Sequence, residues 1–308
     1  MIAVAWLGAS TLGACQPQRV QSPIEAQILV GGGEGQGDTP LEFDAEDRLT
    51  APEGQWALFN EDHHCLTALD VTLENVVSTW FRVDIKDISG PPAEDGEPRF
   101  IRETARMCKQ EISPVLLGLV SNIPQDIPDS LDPVVTDSTL LGEGAGDTYV
   151  SGLQLDLWGV RGVQEDDAMP DNADDERVFD QEGDGNPGAT ITLGEGGCSI
   201  YIVQRTTARR SGAIADASRI DGTFVGDLTQ RVLDADNAFC KTENSLTDGG
   251  VPSRFVLMRV DGKSGSPDLD ADSDGDVTCA EILAARGPLL ASAGFIRQER
   301  DDSVCNPE

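Results

Sequence analysis

Short runs of alternating apolar and polar residues, separated by turn residues, cover most of the chain after residue 54. The runs are rich in β-branched and aromatic residues, and Gly, Pro, Asn or Asp lie between them, as is typical of strands. The predicted strands are 55–60, 75–86, 114–121, 149–160, 189–193, 199–209, 220–233 and 254–261. Because no helical pattern separates these strands, we predict a mainly β, antiparallel fold, either a sandwich or a barrel.

One segment near the C-terminus has a helical pattern instead. Residues 279–291 place four apolar side chains on one helix face: Ile282, Leu283, Leu289 and Leu290. The pair Gly287-Pro288 predicts a break within this helix, because proline lacks the N–H that a helix interior needs. We therefore expect a short helix after the strands.

Changes in composition predict how the chain is organised. Residues 15–40 are rich in Gln, Pro and Gly, which is typical of a flexible tether. Residues 164–188 form a strongly acidic loop between two β-rich units, 41–163 and 189–262. The loop either divides two domains or is a long insertion in one domain. A loop-and-helix segment, 263–308, completes the chain.

The net charge restricts the classes of partner. The chain has 55 Asp and Glu against 22 Lys and Arg, a formal net charge of -33. Repulsion opposes binding to nucleic acid and to anionic membrane surfaces. Carboxylates are, however, the ligands that hard divalent cations prefer, and such cations relieve the self-repulsion.

The first residues have the pattern of an export signal. Residues 1–14 carry no charged side chain and are shorter than the ~20 residues that span a bilayer. The stretch Leu12-Gly13-Ala14-Cys15 resembles the lipobox of bacterial lipoproteins, in which the cysteine receives a lipid and becomes the new N-terminus. The resemblance implies that the lipid on Cys15 alone anchors the protein, in the outer membrane, facing the periplasm or the cell surface. The alternative is an ordinary signal peptide that is cleaved near Ala14.

The remaining cysteines agree with export. With Cys15 set aside, six are left, without a CxxC pair: Cys65, Cys108, Cys198, Cys240, Cys279 and Cys305. An even number in an exported chain predicts three disulfides. The sequence leaves the connectivity open, and we expect sequential pairing, which closes the shortest loops: Cys65 with Cys108, Cys198 with Cys240, and Cys279 with Cys305.

The most specific motif lies directly before the predicted helix. Residues 270–281 fit the pattern D-x-[DN]-x-[DN]-G-x₅-E at every fixed position. Ca²⁺ takes about six to eight oxygen ligands, and Gly275 permits the sharp turn that such a loop makes. The candidate ligands are the carboxylates of Asp270, Asp272, Asp274 and Glu281, the carbonyl of Asp276, and Thr278 through a water.

This segment resembles the calcium loop of EF-hand and dockerin proteins. The resemblance implies bound calcium as the cofactor and covers the loop alone. Residues 254–260 before it look like a strand rather than an entering helix, and no second complete loop lies nearby. A conformational sensor needs a pair of helices that opens, so we predict a fixed structural ion. The alternative is an exposed acidic turn without an ion.

A second, incomplete loop lies within the acidic segment. Its acceptors alternate as in the first loop, with Gly185 at the turn: Asp180, Glu182, Asp184 and Asn186. The twelfth position is Ile191, so Asp171, Asp174 or Asp175 has to supply the closing ligand. The alternative is a solvated acidic turn.

Signals of catalysis are weak. His63 and His64 are the only histidines, and no G-x-S-x-G elbow or H-x-x-x-H spacing accompanies them. In an extended segment their rings point to opposite faces and cannot bind one metal together. We expect both histidines to lie in a surface loop. Among so many acids, some pair falls at a workable distance in any fold, so abundance is not evidence of a glycosidase.

Taken together, these patterns predict a calcium-binding lipoprotein of the cell envelope with a binding or structural role, not an enzyme. One alternative is a calcium-dependent extracellular hydrolase that uses paired carboxylates as acid and base. Another is an adhesion or interaction module that acts through the calcium loop, which requires exposed apolar residues around Val277 and Leu283. The sequence leaves the protein or glycan partner open.

Overall fold

The computed structural model describes residues 48–68, 71–90, 97–112, 121–194, 197–237, 240–241, 245–249, 251–298 and 302–305. Within these residues the strands are β1 (Gly54–Ala68), β2 (Val71–Asp87), β3 (Arg99–Ile112), β4 (Ser121–Asn122), β5 (Val134–Leu141), β6 (Thr148–Ser151), β7 (Gln154–Trp158), β8 (Ala189–Leu193), β9 (Cys198–Asp216), β10 (Arg219–Ala235), β11 (Ser245–Asp248) and β12 (Ser253–Arg259). The helices are α1 (Asp126–Ser130), α2 (Cys279–Ala284) and α3 (Arg286–Ser292), and a 3-10 helix spans Asp302–Cys305. The predicted signal peptide, tether and Cys15 lie outside the described residues.

The strands form one antiparallel sheet that closes on itself. Neighbours follow the order β10-β12-β1-β2-β3-β5-β6-β9, and β9 also pairs with β10. Strands β7 and β8 extend the sheet along β9, and β11 pairs with β1. The ring closure selects the barrel of the two predicted architectures. Strands on both sides of the acidic segment 164–188 pair with each other, as β1 does with β12.

Alternation along each strand separates an inner from an outer face. On β1, Trp56 and Leu58 belong to the large core cluster inside the ring. Their neighbours Ala57 and Phe59 belong to a second cluster that also contains Ile282 and Leu289. The helices α2 and α3 therefore cover the outer face of the sheet, and two apolar layers share the same strands.

Four predicted strands lie within longer observed ones, namely 55–60, 75–86, 199–209 and 220–233, and residues 189–193 match β8. The prediction of a single strand over 149–160 is wrong, because the chain leaves the sheet at Gly152 and Leu153 and forms two strands, β6 and β7. The prediction for 254–261 extends two residues beyond the end of β12. The prediction for 114–121 lies almost entirely outside the described residues. Strands β3 and β5 were not predicted, because buried polar side chains interrupt their apolar pattern. These are Glu103 on β3, and Thr136 and Ser138 on β5.

The predicted C-terminal helix is two helices. The break lies at Ala285, which ends α2 and precedes α3. Pro288 falls in the first turn of α3, where a missing N–H costs nothing because no partner is due there. The predicted break is thus confirmed, and it lies slightly earlier in the chain than the Gly-Pro pair.

Three disulfides form, but two of the three predicted pairings are wrong. Only Cys198–Cys240 joins neighbours in the sequence; the other bonds are Cys65–Cys305 and Cys108–Cys279. Ring closure brings the outer face of β1 and β3 beneath the C-terminal segment, which makes these distant cysteines neighbours. Cys108 lies on the outer face by the alternation of β3, next to a bulge at which Trp80 pairs with Lys109 and Phe81 with Met107.

Candidate metal site

The loop 270–281 lies against the outer face of the sheet. It follows a turn after β12. In this turn the N–H of Leu269 donates a hydrogen bond of ordinary length, 3.0 Å, to the carbonyl of Val260. Val277 is 1% exposed, and Leu283 packs against the same outer cluster. The exposed apolar residues that an adhesion module needs are therefore not present at these two positions.

Three carboxylates converge in this loop. Asp270, Asp272 and Asp274 each offer an oxygen, and these oxygens lie within 4.8 Å of one another. Asp270 accepts hydrogen bonds from the backbone N–H of Asp274 (3.1 Å) and of Gly275 (2.7 Å). Gly275 has φ 90°, a value that favours glycine. The backbone thus curls around Asp270 and brings the three carboxylates together.

Glu281 closes the loop from the first turn of α2. Its Oε1 accepts from the N–H of Ala271 (2.7 Å), and its Oε2 accepts from the N–H (2.7 Å) and the hydroxyl (2.8 Å) of Thr278. These bonds, with that to the Thr278 N–H foremost, lower the pKa of Glu281. The Thr278 hydroxyl also accepts from the N–H of Glu281, so it caps α2. The Thr278 hydroxyl is also the predicted contact to a calcium-bound water, and that contact would have to coexist with its role as the helix cap.

The donor set fits calcium. Every candidate ligand is an oxygen, with neither nitrogen nor sulfur among them, as hard cations prefer. The N–H of Asp274 lowers the pKa of Asp272, but repulsion from Asp274, Glu281 and Asp270 outweighs it and raises this pKa. A divalent cation at this position would remove the repulsion between the carboxylates. Asp276 turns its carboxylate towards the sheet and leaves its carbonyl as its candidate ligand atom.

The second predicted loop has the same backbone hydrogen bonds. Asp180 accepts from the N–H of Asp184 (3.1 Å) and of Gly185 (2.7 Å), and Gly185 has φ 89°. In this loop, hydrogen bonds from β8 occupy the place that the closing carboxylate has in the first loop. The N–H of Thr190 donates to Glu182 (2.7 Å), and its hydroxyl donates to Asp184 (2.8 Å).

Several acids in and around this second loop already have hydrogen-bond or ion-pair partners within the protein, which would compete with an ion. Burial, together with the charges of Asp184 and Asp180, raises the pKa of Glu182. Asn186 donates its side-chain N–H to Asp184 (3.1 Å). Asp175, a predicted closing ligand, pairs with Arg177 instead (2.7 Å). Among the described residues, three converging metal-ligand side chains occur only at Asp270, Asp272 and Asp274.

Both histidines lie in β1 and are buried, so the expectation of a surface loop is wrong. His63 Nδ1 lies 2.8 Å from Glu74, and its Nε2 lies 3.7 Å from Glu61. Burial lowers the pKa of His63, but these two glutamates outweigh it and raise the pKa above its ordinary value.

His64 takes part in a different arrangement that superficially resembles catalytic machinery. Its Nε2 lies 2.7 Å from the carboxylate of Asp62, which also accepts a hydrogen bond from the hydroxyl of Ser253. The hydroxyl and the imidazole thus share one carboxylate. A nucleophilic triad instead requires the hydroxyl to donate to the imidazole.

The interior of the ring holds a polar network that the sequence pattern did not reveal. Arg210 pairs with Glu103 (2.7 Å) and donates to Gln154 (2.6 Å), and Gln154 donates to Asp156 (2.7 Å). Tyr149 donates to Glu103 (2.6 Å). Burial raises the pKa of Asp156 to about 6.

A raised carboxylate pKa marks a catalytic acid only where substrate has access. Asp156 is 8% exposed and its neighbours fill the core around it. An open groove of about 320 Å³ lies on the outer face, lined by Gly54, Gln55, Asp84, Ile85, Lys86 and Thr104. Asp156, with its raised pKa, is not among the residues that line this groove.

No family model matches the chain, and no curated protein or solved structure is similar to it. In the part of the chain that the structure describes, no helix is long and apolar enough to cross a membrane.

Proposed function

We propose that the protein is an exported, calcium-binding protein of the bacterial cell envelope with a structural or binding role rather than a catalytic one. The observation that carries the proposal is the convergence of the Asp270, Asp272 and Asp274 carboxylates in a loop that Glu281 closes. The three disulfides support export, because such bonds persist in oxidising compartments. The lipobox-like sequence at Cys15 supports anchoring through a lipid.

The ion has a fixed, structural role in this proposal. The loop joins β12 to α2, and the disulfide between Cys279 and Cys108 ties the start of α2 to β3. Val277 and Ile282 are buried in the outer cluster. Within the described residues a strand rather than a helix precedes the loop, so there is no flanking helix pair to open, and in this proposal binding stabilises the existing arrangement instead of exposing a new surface.

Thermal unfolding of the oxidised protein with calcium titrated at constant ionic strength tests the proposal. A ligand that binds only the folded state stabilises it by about 2.7 kcal/mol at a hundredfold excess over Kd, which raises Tm by about 4–5 °C in a chain of this size. Asp270→Ala and Glu281→Ala should abolish the rise. Asp272→Ala should do the same with less damage to the apo fold, because Asp272 accepts only a 3.3 Å bond from the N–H of Asp274.

The control is Asp180→Asn in the second loop, which leaves the response of the first loop intact. Calorimetry gives the stoichiometry, and loss of one of two ions in this variant would assign calcium to the second loop as well. If calcium raises Tm no more than sodium at equal ionic strength, the loop is an acidic turn and the proposal is wrong. Cys15→Ser tests the anchor separately, since it should move the protein from the membrane fraction to the soluble fraction.

A further inference from the structure

A single side chain from the first strand reaches the backbone of the calcium loop. Gln55 on β1 donates from Nε2 to the carboxylate of Asp276 (2.7 Å) and accepts at Oε1 from the N–H of Val277 (2.9 Å). Its Nε2 also lies 3.4 Å from the carbonyl of Gly275. Both ends of one side-chain amide are thus used on the turn that follows the three clustered aspartates.

The contact with Val277 fixes the direction of a candidate ligand. The N–H of Val277 and the C=O of Asp276 belong to the same peptide unit, and no described peptide bond is cis. In a planar trans peptide these two groups point in opposite directions. Because the N–H points to Gln55 on the sheet side, the carbonyl of Asp276 points away from the sheet, as a ligand at the seventh loop position must.

Arg82 on β2 fixes the side chain of the same residue. It donates to both carboxylate oxygens of Asp276, at 2.5 and 3.0 Å. Its Nη2 also donates to Asp84 (3.1 Å), which orients the guanidinium on the sheet. The carboxylate of Asp276 is therefore held on the sheet side, and this residue offers the ion its carbonyl alone.

We propose that Gln55 and Arg82 are positioning residues of the calcium loop, which preset the Asp276 carbonyl before an ion binds. This inference rests on the proposed function. Presetting a ligand reduces the ordering that binding would otherwise require, so the affinity for calcium depends on two side chains that do not touch the ion. Gln55 orients the peptide unit between Asp276 and Val277, and Arg82 holds the Asp276 carboxylate on the sheet side, away from the ion.

The test measures the calcium Kd by calorimetry on the full disulfide-bonded protein at constant ionic strength. Gln55→Met has a similar size and no hydrogen bonds, and we expect its Kd to rise about tenfold, equal to 1.4 kcal/mol. Gln55→Glu combined with Asp276→Asn keeps the acceptor for the Val277 N–H and reverses the second contact, so that a carboxylate at residue 55 accepts from a side-chain amide at residue 276. Because the peptide unit is still held, its Kd should stay within about threefold of the wild type. Arg82→Met should raise Kd by about threefold to tenfold.

Thr104→Ala is the matched control, because Thr104 lines the groove beside Gln55 and, among the described residues, forms no hydrogen bond with the loop. A second readout separates positioning from general stability. The backbone carbonyl ¹³C shift of residue 276 should respond to calcium in the wild type and in the Gln55→Glu, Asp276→Asn double variant but much less in Gln55→Met, whatever the Tm of each apo protein.

The outcomes separate the two proposals. If the wild type binds no calcium, the proposed function and the positioning role are both wrong. If the wild type binds calcium and Gln55→Met and Arg82→Met bind it equally well, the loop orders itself and only the positioning role is wrong. A lower apo Tm with unchanged Kd would also overturn the positioning role, since it assigns to Gln55 a part in stability alone.

Discussion

Asp156 is a buried charge whose removal should stabilise the protein at neutral pH. Its carboxylate accepts from the side chain of Gln154 (2.7 Å), whose own oxygen is taken by Arg210. Arg210 already forms an ion pair with Glu103 (2.7 Å), so its positive charge is largely neutralised and does little to stabilise the Asp156 carboxylate. Asp156→Asn keeps an oxygen that can accept from Gln154, and it has the neutral charge of a protonated acid.

The magnitude follows from the displaced pKa. Burial raises the pKa of Asp156 from 3.8 to about 6, so the folded state binds a proton more tightly than the unfolded state. The stability that this proton contributes is fully present below 3.8 and is lost as pH rises through 6. Relative to the wild type, Asp156→Asn should therefore gain less than about 1 kcal/mol at pH 4, about 2 kcal/mol at pH 5 and about 3 kcal/mol at pH 7.

Urea denaturation followed by tryptophan fluorescence, at constant ionic strength and calcium concentration, measures these differences. Comparing the two proteins at each pH cancels the titration of the other acids. Asp174→Asn is the control, because Asp174 is exposed and the difference from the wild type should stay nearly constant with pH. If Asp156→Asn is no more stable at pH 7 than at pH 4, relative to the wild type, the carboxylate carries no burial penalty and the reasoning is wrong.

Two further predictions concern the outer face. The raised pKa of His63 gives stability that is present below about 6.5 and lost as pH rises through the folded value, so His63→Gln should destabilise the protein more at about pH 5.5 than at about pH 9 in the same urea assay. An equal loss at both pH values would show that the two glutamates do not hold a proton on this ring. We expect that substituting both Cys108 and Cys279 with alanine lowers the free energy of unfolding by about 2–4 kcal/mol, because their disulfide spans 171 residues. The same substitution of Cys198 and Cys240, whose disulfide spans 42 residues, should lower it by less. The reverse order in urea midpoints would contradict the loop-closure argument.

The strand pattern predicts the fold class, but the polar interior hides part of it. Residues 189–193 alternate as a half-buried strand should, and they form β8. In β3 the inward positions include Glu103, whose charge is acceptable only because Arg210 on β9 lies opposite. A pattern based on apolar alternation cannot find such a strand, since the partner that permits the buried charge is distant in the sequence.

The disulfides show the same limit. Sequential pairing is reasonable when the chain is treated as a series of local units, because short loops close at low entropic cost. Ring closure changes which residues are neighbours. Cys65 on β1 lies beneath the 3-10 helix that contains Cys305, and Cys108 on the outer face of β3 bonds to Cys279 at the start of α2. Ring closure has no local signature in the sequence.

The candidate calcium loop, residues 270–281, also depends partly on local and partly on distant residues. Its acids are encoded within one short segment, so their spacing alone predicts that Asp270, Asp272 and Asp274 converge. The residues that hold this segment are Gln55 and Arg82, which are separated from it by about two hundred residues and become its neighbours only through the register of β1 and β2. Among the described residues, strand β12 precedes this loop and no helix does. In this fold the sheet supplies the rigid support, which is why an isolated loop can have a defined backbone at all.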